Sequence, residues 1–336
     1  MKKVLIMIGI ILAILNVSYL FAGDYAGESM AIGVGARALG MGGTFAAIAD
    51  DASTSYWNAA GLVNVAGVEV SSVKLTKIND LDTKYTYVNL VYNVSKDIGA
   101  FGVGWLRQAI GGIPLTDISG NIIKDATENS DNTIYIAYGR YIANGLSIGT
   151  SIKLLLGNYP ALVYSTGSSS PTNTTVNYFG YGLDIGLFTN VGDLISVKEL
   201  KGLSLGVNVQ DVYTTITWDA ITGVSEGSTE QVALNAKPGI AYRLPISQFE
   251  IIAGCDVDTK YQLVIHAGGE LWWNKMVGIR GGIKSWGGIQ SAGASLQQES
   301  DWSLGASLRW YFIGVDYAYV YNELTPVQYL SVIGKF

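Results

Sequence analysis

One cysteine, Cys255, and one histidine, His266, are present among the 336 residues. A lone cysteine excludes an internal disulfide, and a lone histidine argues against a His-rich metal site or a Ser-His-Asp triad. Cys255 reads most simply as a small apolar strand residue. Only 6 prolines occur, so the chain is not a proline-rich linker. Basic residues are also in deficit, 21 Lys and Arg against 27 Asp and Glu, with no basic cluster. That balance argues against a nucleic-acid partner.

Long apolar runs are missing too, beyond the first 23 residues. Those begin with Lys2 and Lys3, continue as an uncharged apolar run from Val4 to Leu15, and end in the small residues Ala22 and Gly23. The run is too short to cross a bilayer as a helix, and its layout is that of a secretory signal peptide over 1–23. Losing it takes the net charge, −6 for the whole chain, two further negative. The remainder is long enough for one large β domain or two ordinary ones.

What the chain does have is dispersed: 49% hydrophobic residues, 42 Gly, 21 Tyr and 8 Trp. In an exported chain, short alternating apolar segments make either a β-sandwich or a membrane β-barrel. From Leu146 to Leu156 the even positions are mainly apolar, while Ser147, Gly149, Ser151 and Lys153 hold the other face. Phe179, Tyr181, Leu183, Ile185 and Leu187 alternate with Gly180, Gly182, Asp184 and Gly186. The pattern recurs from Leu263 to Trp273 and from Trp302 to Phe312. Each run has the length that a tilted strand needs to cross a bilayer.

Alternation places fourteen strands over 67–77, 83–95, 98–108, 131–142, 145–157, 176–190, 202–213, 230–243, 247–258, 261–273, 275–286, 303–312, 314–323 and 327–336. Their links alternate between long and short, as the two ends of an outer-membrane barrel do. The expected outer links are 78–82, 109–130, 158–175, 214–229, 259–260, 287–302 and 324–326. Most inner links are tight turns; 191–201 is the exception, a short helix or a strand extension. Tyr92, Tyr141, Phe188, Tyr242, Trp272, Trp273, Trp310 and Phe312 fall toward inner strand ends, as an interfacial girdle would. The last strand ends in the aromatic Phe336, the kind of terminus that outer-membrane insertion machinery recognises. Alternation by itself leaves open whether the apolar face meets lipid or a second sheet.

The expected fold is therefore all-β: a transmembrane antiparallel barrel over 67–336, preceded by an N-terminal segment over 24–66. That segment carries "GARALGMGGTFAAIADDASTSYWNAAGL". Its glycines do not make a nucleotide loop, because no strand precedes them and no Lys-Ser/Thr ending follows. If the apolar faces look outward, then Lys153, Asp184, Asp256, Glu270, Arg280, Lys284, Arg309 and Asp316 look inward. Asp256, Glu270, Arg280 and Lys284 are on three consecutive strands and are expected to form a lateral ladder. Mixed charges of this kind neutralise one another, so no catalytic residue, metal site or cofactor is expected and the chain is not read as an enzyme. His266, on the same face as Glu270, is expected to be a structural hydrogen-bonding residue.

The N-terminal motif, with "GLDIGLF" at 182–188, "IHAGGELWW" at 265–273 and "IRGGIK" at 279–284, resembles the PorV/PorQ group of FadL-type outer-membrane barrels across the mature chain. The resemblance implies a fourteen-stranded barrel with an inward-folded N-terminal hatch. It also implies passive transport of hydrophobic small molecules, or a PorV-like role receiving secreted protein cargo in type IX secretion; a structural outer-membrane protein is the third reading. The group reads Asn-Pro-Ala-Gly-Leu where this chain has Asn58, Ala59, Ala60, Gly61 and Leu62. Loss of the proline makes Ala59 a weakly constrained turn and a candidate gate. Asp50 or Asp51 is expected to cap a short helical turn. Asp50, Asp51 and Asn58, with Tyr56 and Trp57 beside them, are expected to hold the plug against inward charges such as Arg280 and Lys284. Outer-membrane lipid is the expected surrounding.

Overall fold

A computed structural model describes residues 27–77, 82–117, 119–163, 172–220, 226–260, 263–287, 299–322 and 325–336. The signal segment 1–23 and the interiors of several expected outer links lie outside the described residues. Fifteen strands follow the N-terminal segment: β1 Val68–Lys77, β2 Thr83–Ser95, β3 Gly99–Thr116, β4 Ile122–Ala143, β5 Leu146–Val163, β6 Thr172–Asn190, β7 Leu203–Trp218, β8 Thr229–Gln231, β9 Asn235–Ile246, β10 Phe249–Asp258, β11 Leu263–Trp273, β12 Val277–Gly287, β13 Glu299–Trp310, β14 Ile313–Tyr321 and β15 Val327–Lys335.

Each long strand pairs antiparallel with its sequence neighbour, and β1 pairs with β15 in the register Val70↔Gly334, which closes the sheet on itself. The short β8 pairs only with β7, through Thr217↔Thr229, while β7 also pairs with β9. The result is a closed fourteen-stranded antiparallel barrel with one extra strand. Closure gives each of the fourteen long strands a partner on both sides, which is what a β structure in lipid requires.

Alternation sets the two faces. Phe179, Tyr181 and Ile185 stand on the exposed outer face of β6, while Asp184 between them is 2% exposed. The same parity corrects the expected girdle. Tyr92, Tyr242, Trp273, Trp310 and Phe312 are exposed, but Phe188 and Trp272 are buried and Tyr141 donates to Asn64 Oδ1 at 3.2 Å. Trp272 and Trp273 are adjacent, so one of them must point inward.

Strand lengths depart from the expectation at the long-loop end. β4 starts at Ile122 rather than 131, and β3 runs to Thr116. The outer half of β4 is mostly polar on both faces, and that of β3 is broken by Gly111, Gly112 and Pro114, so neither carries a continuous apolar alternation. Gly111 and Gly112, which read as a break, sit in a bulge between Ile110 and Ile113. The expected strand 230–243 divides into β8 and β9, and 191–201 forms a short helix, Val191–Ile195, followed by a 3-10 turn, Lys198–Leu200.

Candidate functional site

Residues 27–66 lie within the barrel as short turns: a 3-10 turn at Glu28–Ala31, helices at Ala36–Leu39 and Thr54–Trp57, and a 3-10 helix at Ala59–Asn64. Phe45, Tyr56, Trp57 and Leu62 are all buried. They pack against wall side chains such as Tyr85, Tyr87, Tyr135 and Ile252, and elsewhere the wall opposite is glycine. A Cβ at Gly149 would lie 2.3 Å from the Ala59 carbonyl carbon and the Ala60 nitrogen, and one at Gly282 would lie 2.1 Å from the Met41 carbonyl carbon. Absent side chains let the segment's backbone lie directly on the strands.

Polar groups then complete each contact. Asn58 donates to the carbonyls of Ala46 (2.9 Å) and Leu187 (3.1 Å), and its Oδ1 accepts from Ala60 N at 3.1 Å, capping the 3-10 helix. Ser147 Oγ donates to Ala60 O at 2.7 Å. Tyr56 Oη donates to Met30 O at 2.6 Å, and Trp57 Nε1 to Val34 O at 2.8 Å. Residues Asn58 to Leu62 are thus held from three strands, and the expected weakly constrained turn at Ala59 is instead firmly seated. Asp51 does not cap the helix directly: it accepts from Ser53 N at 2.9 Å and Ser53 Oγ at 2.6 Å, at the residue immediately before the helix.

The expected anchors of Asp50 and Asp51 also differ. Neither meets Arg280 or Lys284. Both meet Arg37, whose Nη1 lies 2.5 Å from Asp50 Oδ1 and 3.2 Å from Asp51 Oδ2. Arg37 Nε lies 3.1 Å from both Glu270 carboxylate oxygens, so one buried guanidinium ties two parts of the segment to the wall. Arg243 reaches Asp50 from β9 and Glu250 at 3.0 Å. The network continues through Arg280, 3.4 Å from Glu270 and 3.7 Å from Asp316, to Arg309, 2.8 Å from Asp316. Trp272 lies beneath the Arg37, Arg280 and Arg309 guanidiniums at 5.9, 5.7 and 5.2 Å. Burial works against the Arg37 charge, but Asp50 and Glu270 outweigh it and raise its pKa further. Burial likewise pushes the Asp50 carboxyl up, and Arg37 and Arg243 outweigh that, holding it well below the usual carboxylate range. Arg37 was legible only as a lone charge among Ala and Gly.

The expected ladder is realised in part. Glu270 and Arg280 face each other in register, but Asp256 turns to the segment, accepting from Phe45 N (2.6 Å) and Ala46 N (2.7 Å). Lys284 is half-buried opposite His266 and Asp301 in register. His266 Nδ1 lies 2.6 Å from Gly42 O. Lys153 and Asp184 pair at 2.8 Å within the wall, joined by Asp211, which alternation did not single out. Asp211 sits at φ 58 in a bulge of β7. Among the described residues no group of three or more His, Cys, Asp or Glu could hold a metal ion.

Cavities remain on both sides of the segment. Toward the long-loop end, one of about 260 Å³ is lined by Leu39, Trp57, Val320, Val327 and Tyr329 together with the polar Lys237, Asp258 and His266. Toward the short-turn end, one of about 390 Å³ is lined by Ile48, Phe188, Ile252 and Tyr141 with Arg243 and Asp50, and one of about 330 Å³ adjoins Arg37 and Trp272. Gly42 and Gly43 line the first cavity, Ala47 and Ile48 the second. The residues between them, Thr44 to Ala46, are a thin partition hung on Asp256.

No curated protein matches the chain in sequence. Among solved structures, the Ralstonia pickettii toluene transporter TbuX superposes with a TM-score of 0.59 at 14% identity, over 90% of this chain and 98% of that one. The monoaromatic hydrocarbon channel CymD gives 0.62 at 15%, over 91% and 98%. The Pseudomonas putida toluene transporter TodX gives 0.54 at 15%, over 90% and 96%. These likenesses show a shared barrel fold and do not place the chain in the PorV/PorQ group. Residues 20–333 match the uncharacterised protein family UPF0164, and the chain belongs to that family.

Proposed function

We propose that the chain is a passive outer-membrane transporter of small hydrophobic molecules, with residues 24–66 as its plug and the long-loop end outside. The observation that carries this reading is the plugged barrel itself, with a cavity on the long-loop side of the segment that Leu39, Trp57, Val320 and Tyr329 line in part, and further cavities beyond it. An apolar cavity of about 150 Å³ accepts benzene, so the outer one is large enough for a single aromatic ring. Toluene and monoaromatic hydrocarbons are the cargo named for the similar structures, and they are the first compounds to try. The apolar outer face supports a lipid environment, and the terminal aromatic strand supports recognition by insertion machinery. A signal peptide at 1–23 supplies the export that this location requires. Among the described residues most of the inward charges are engaged in ion-pair networks, which supports a structural rather than catalytic role for them. A PorV-like shuttle for secreted cargo rests on the motif resemblance alone, and transport is therefore the preferred reading.

Uptake of radiolabelled toluene by cells with and without the gene tests transport; equal rates across a panel of monoaromatics would refute it. Epitope tags within 214–229 should be reachable on intact cells and tags at 143–144 should not. Reversed labelling would overturn the orientation.

A further inference from the structure

The outer cavity is not uniformly apolar, and its polar side is specific. Lys237 on β9 is 7% exposed, with Nζ 3.0 Å from Asp258 Oδ2 and 5.5 Å from the Trp57 ring centroid. An ammonium has three donors, and Asp258 takes one of them. His266 on β11 is 8% exposed and lines the same cavity. Its Nδ1 faces the Gly42 carbonyl at 2.6 Å. A carbonyl can only accept, so Nδ1 carries the proton; with the Lys237 and Lys284 ammoniums lining the same cavity a further positive charge is disfavoured, so the ring is neutral and Nε2 is an acceptor. A donor and an acceptor thus border one cavity that Trp57, Leu39, Val320 and Tyr329 also line.

We infer that this cavity selects a monoaromatic ring bearing a hydroxyl, a phenol or aromatic alcohol, over the plain hydrocarbon. The inference rests on the transport reading and narrows its substrate class. The ring packs against Trp57 and Leu39; the hydroxyl accepts from Lys237 and donates to His266 Nε2. A hydrocarbon of the same size displaces water from both groups and returns no hydrogen bond, which is the more costly outcome for a buried site. A carboxylate is disfavoured for a different reason. It brings no proton for Nε2, and it places a second anion beside Asp258, which already neutralises Lys237. Lys284 also lines the cavity, and Asp301, which lines it too, stands opposite Lys284 in register.

Binding of p-cresol, toluene and p-toluate to the purified full-length protein in detergent tests this, since the three share one ring and one methyl group. We expect p-cresol to bind roughly tenfold more tightly than toluene, the effect of one to two hydrogen bonds otherwise left unmade. His266→Asn retains an amide donor for Gly42 and deletes the second ring nitrogen. It should bring p-cresol down to the level of toluene and leave toluene unchanged. Lys237→Met should do the same from the donor side. Equal affinities for p-cresol and toluene, or an equal loss of both in His266→Asn, would overturn the inference while leaving transport standing. Tightest binding of p-toluate would overturn it in favour of an anion site. Failure of all three compounds to bind would remove the inference together with the transport reading.

Discussion

Replacing Arg37 with Met removes the charge that ties the N-terminal segment to the barrel wall while keeping a stem long enough to rest on Trp272 and Phe45. The guanidinium touches Asp50, Asp51 and Glu270, and its side chain is 9% exposed. Removing one partner of a buried ion pair costs about 3–5 kcal/mol, because the others are left without compensation. Arg243 still faces Asp50, and Arg280 still faces Glu270, so the lower end applies. Roughly 3 kcal/mol is a shift of more than a hundredfold in the equilibrium between seated and displaced segment. The barrel should survive, since its ladder is made by the strands themselves. We therefore expect Arg37→Met to migrate as a folded, heat-modifiable barrel, to conduct KCl in planar bilayers well above wild type, and to be cleaved by protease within residues 27–66. Arg37→Lys keeps the charge but not the fork, and should fall between the two. A folded Arg37→Met protein with unchanged conductance and an equally protected segment would refute the anchoring role. Acid bears on the same contact with a definite sign. Asp50 is held below the usual carboxylate range, so its contribution is complete at neutral pH and persists above that range. It is lost only as pH falls through the depressed value, so conductance arising from this contact should stay flat on mild acidification.

Three further outcomes follow from the geometry. Gly149→Val places side-chain atoms against the Ala59–Ala60 backbone and should destabilise the seated segment by about 1–3 kcal/mol; an unchanged melting temperature would show that the close approach is not needed. Leu304→Arg, mid-strand on the outer face and 56% exposed, should weaken folding into lipid vesicles by about 2–4 kcal/mol. Undiminished folding there would mean that this face does not meet lipid. Asp256→Ala removes the acceptor of both Phe45 N and Ala46 N and should loosen the partition between the cavities; conductance equal to wild type in a folded variant would place the barrier elsewhere.

Much of the wall was legible in the amino-acid sequence, because a barrel in lipid imposes a two-residue period on every crossing strand. That period determined the all-β class, the fourteen crossings and the outward set of Phe179, Tyr181, Ile185 and Leu304. It also marked Lys153, Asp184, Asp256, Glu270, Arg280 and Asp316 as the opposite face, and each of these is buried. The period fades in the mostly polar outer half of β4 and is broken by Gly111, Gly112 and Pro114 in that of β3, which is why both read as a loop. Inside the barrel no such rule applies. Which inward charge meets which depends on residues far apart in the chain, such as Arg37 and Glu270, or Asp50 and Arg243. Facing says nothing of depth, so alternation could neither find Arg37 nor steer Asp50 away from Arg280. The seating of Ala59 likewise depends on Gly149, some ninety residues later, having no side chain. The sequence by itself determined the wall, because lipid reads each strand locally; only the tertiary structure decided what fills it, because every contact there joins distant parts of the chain.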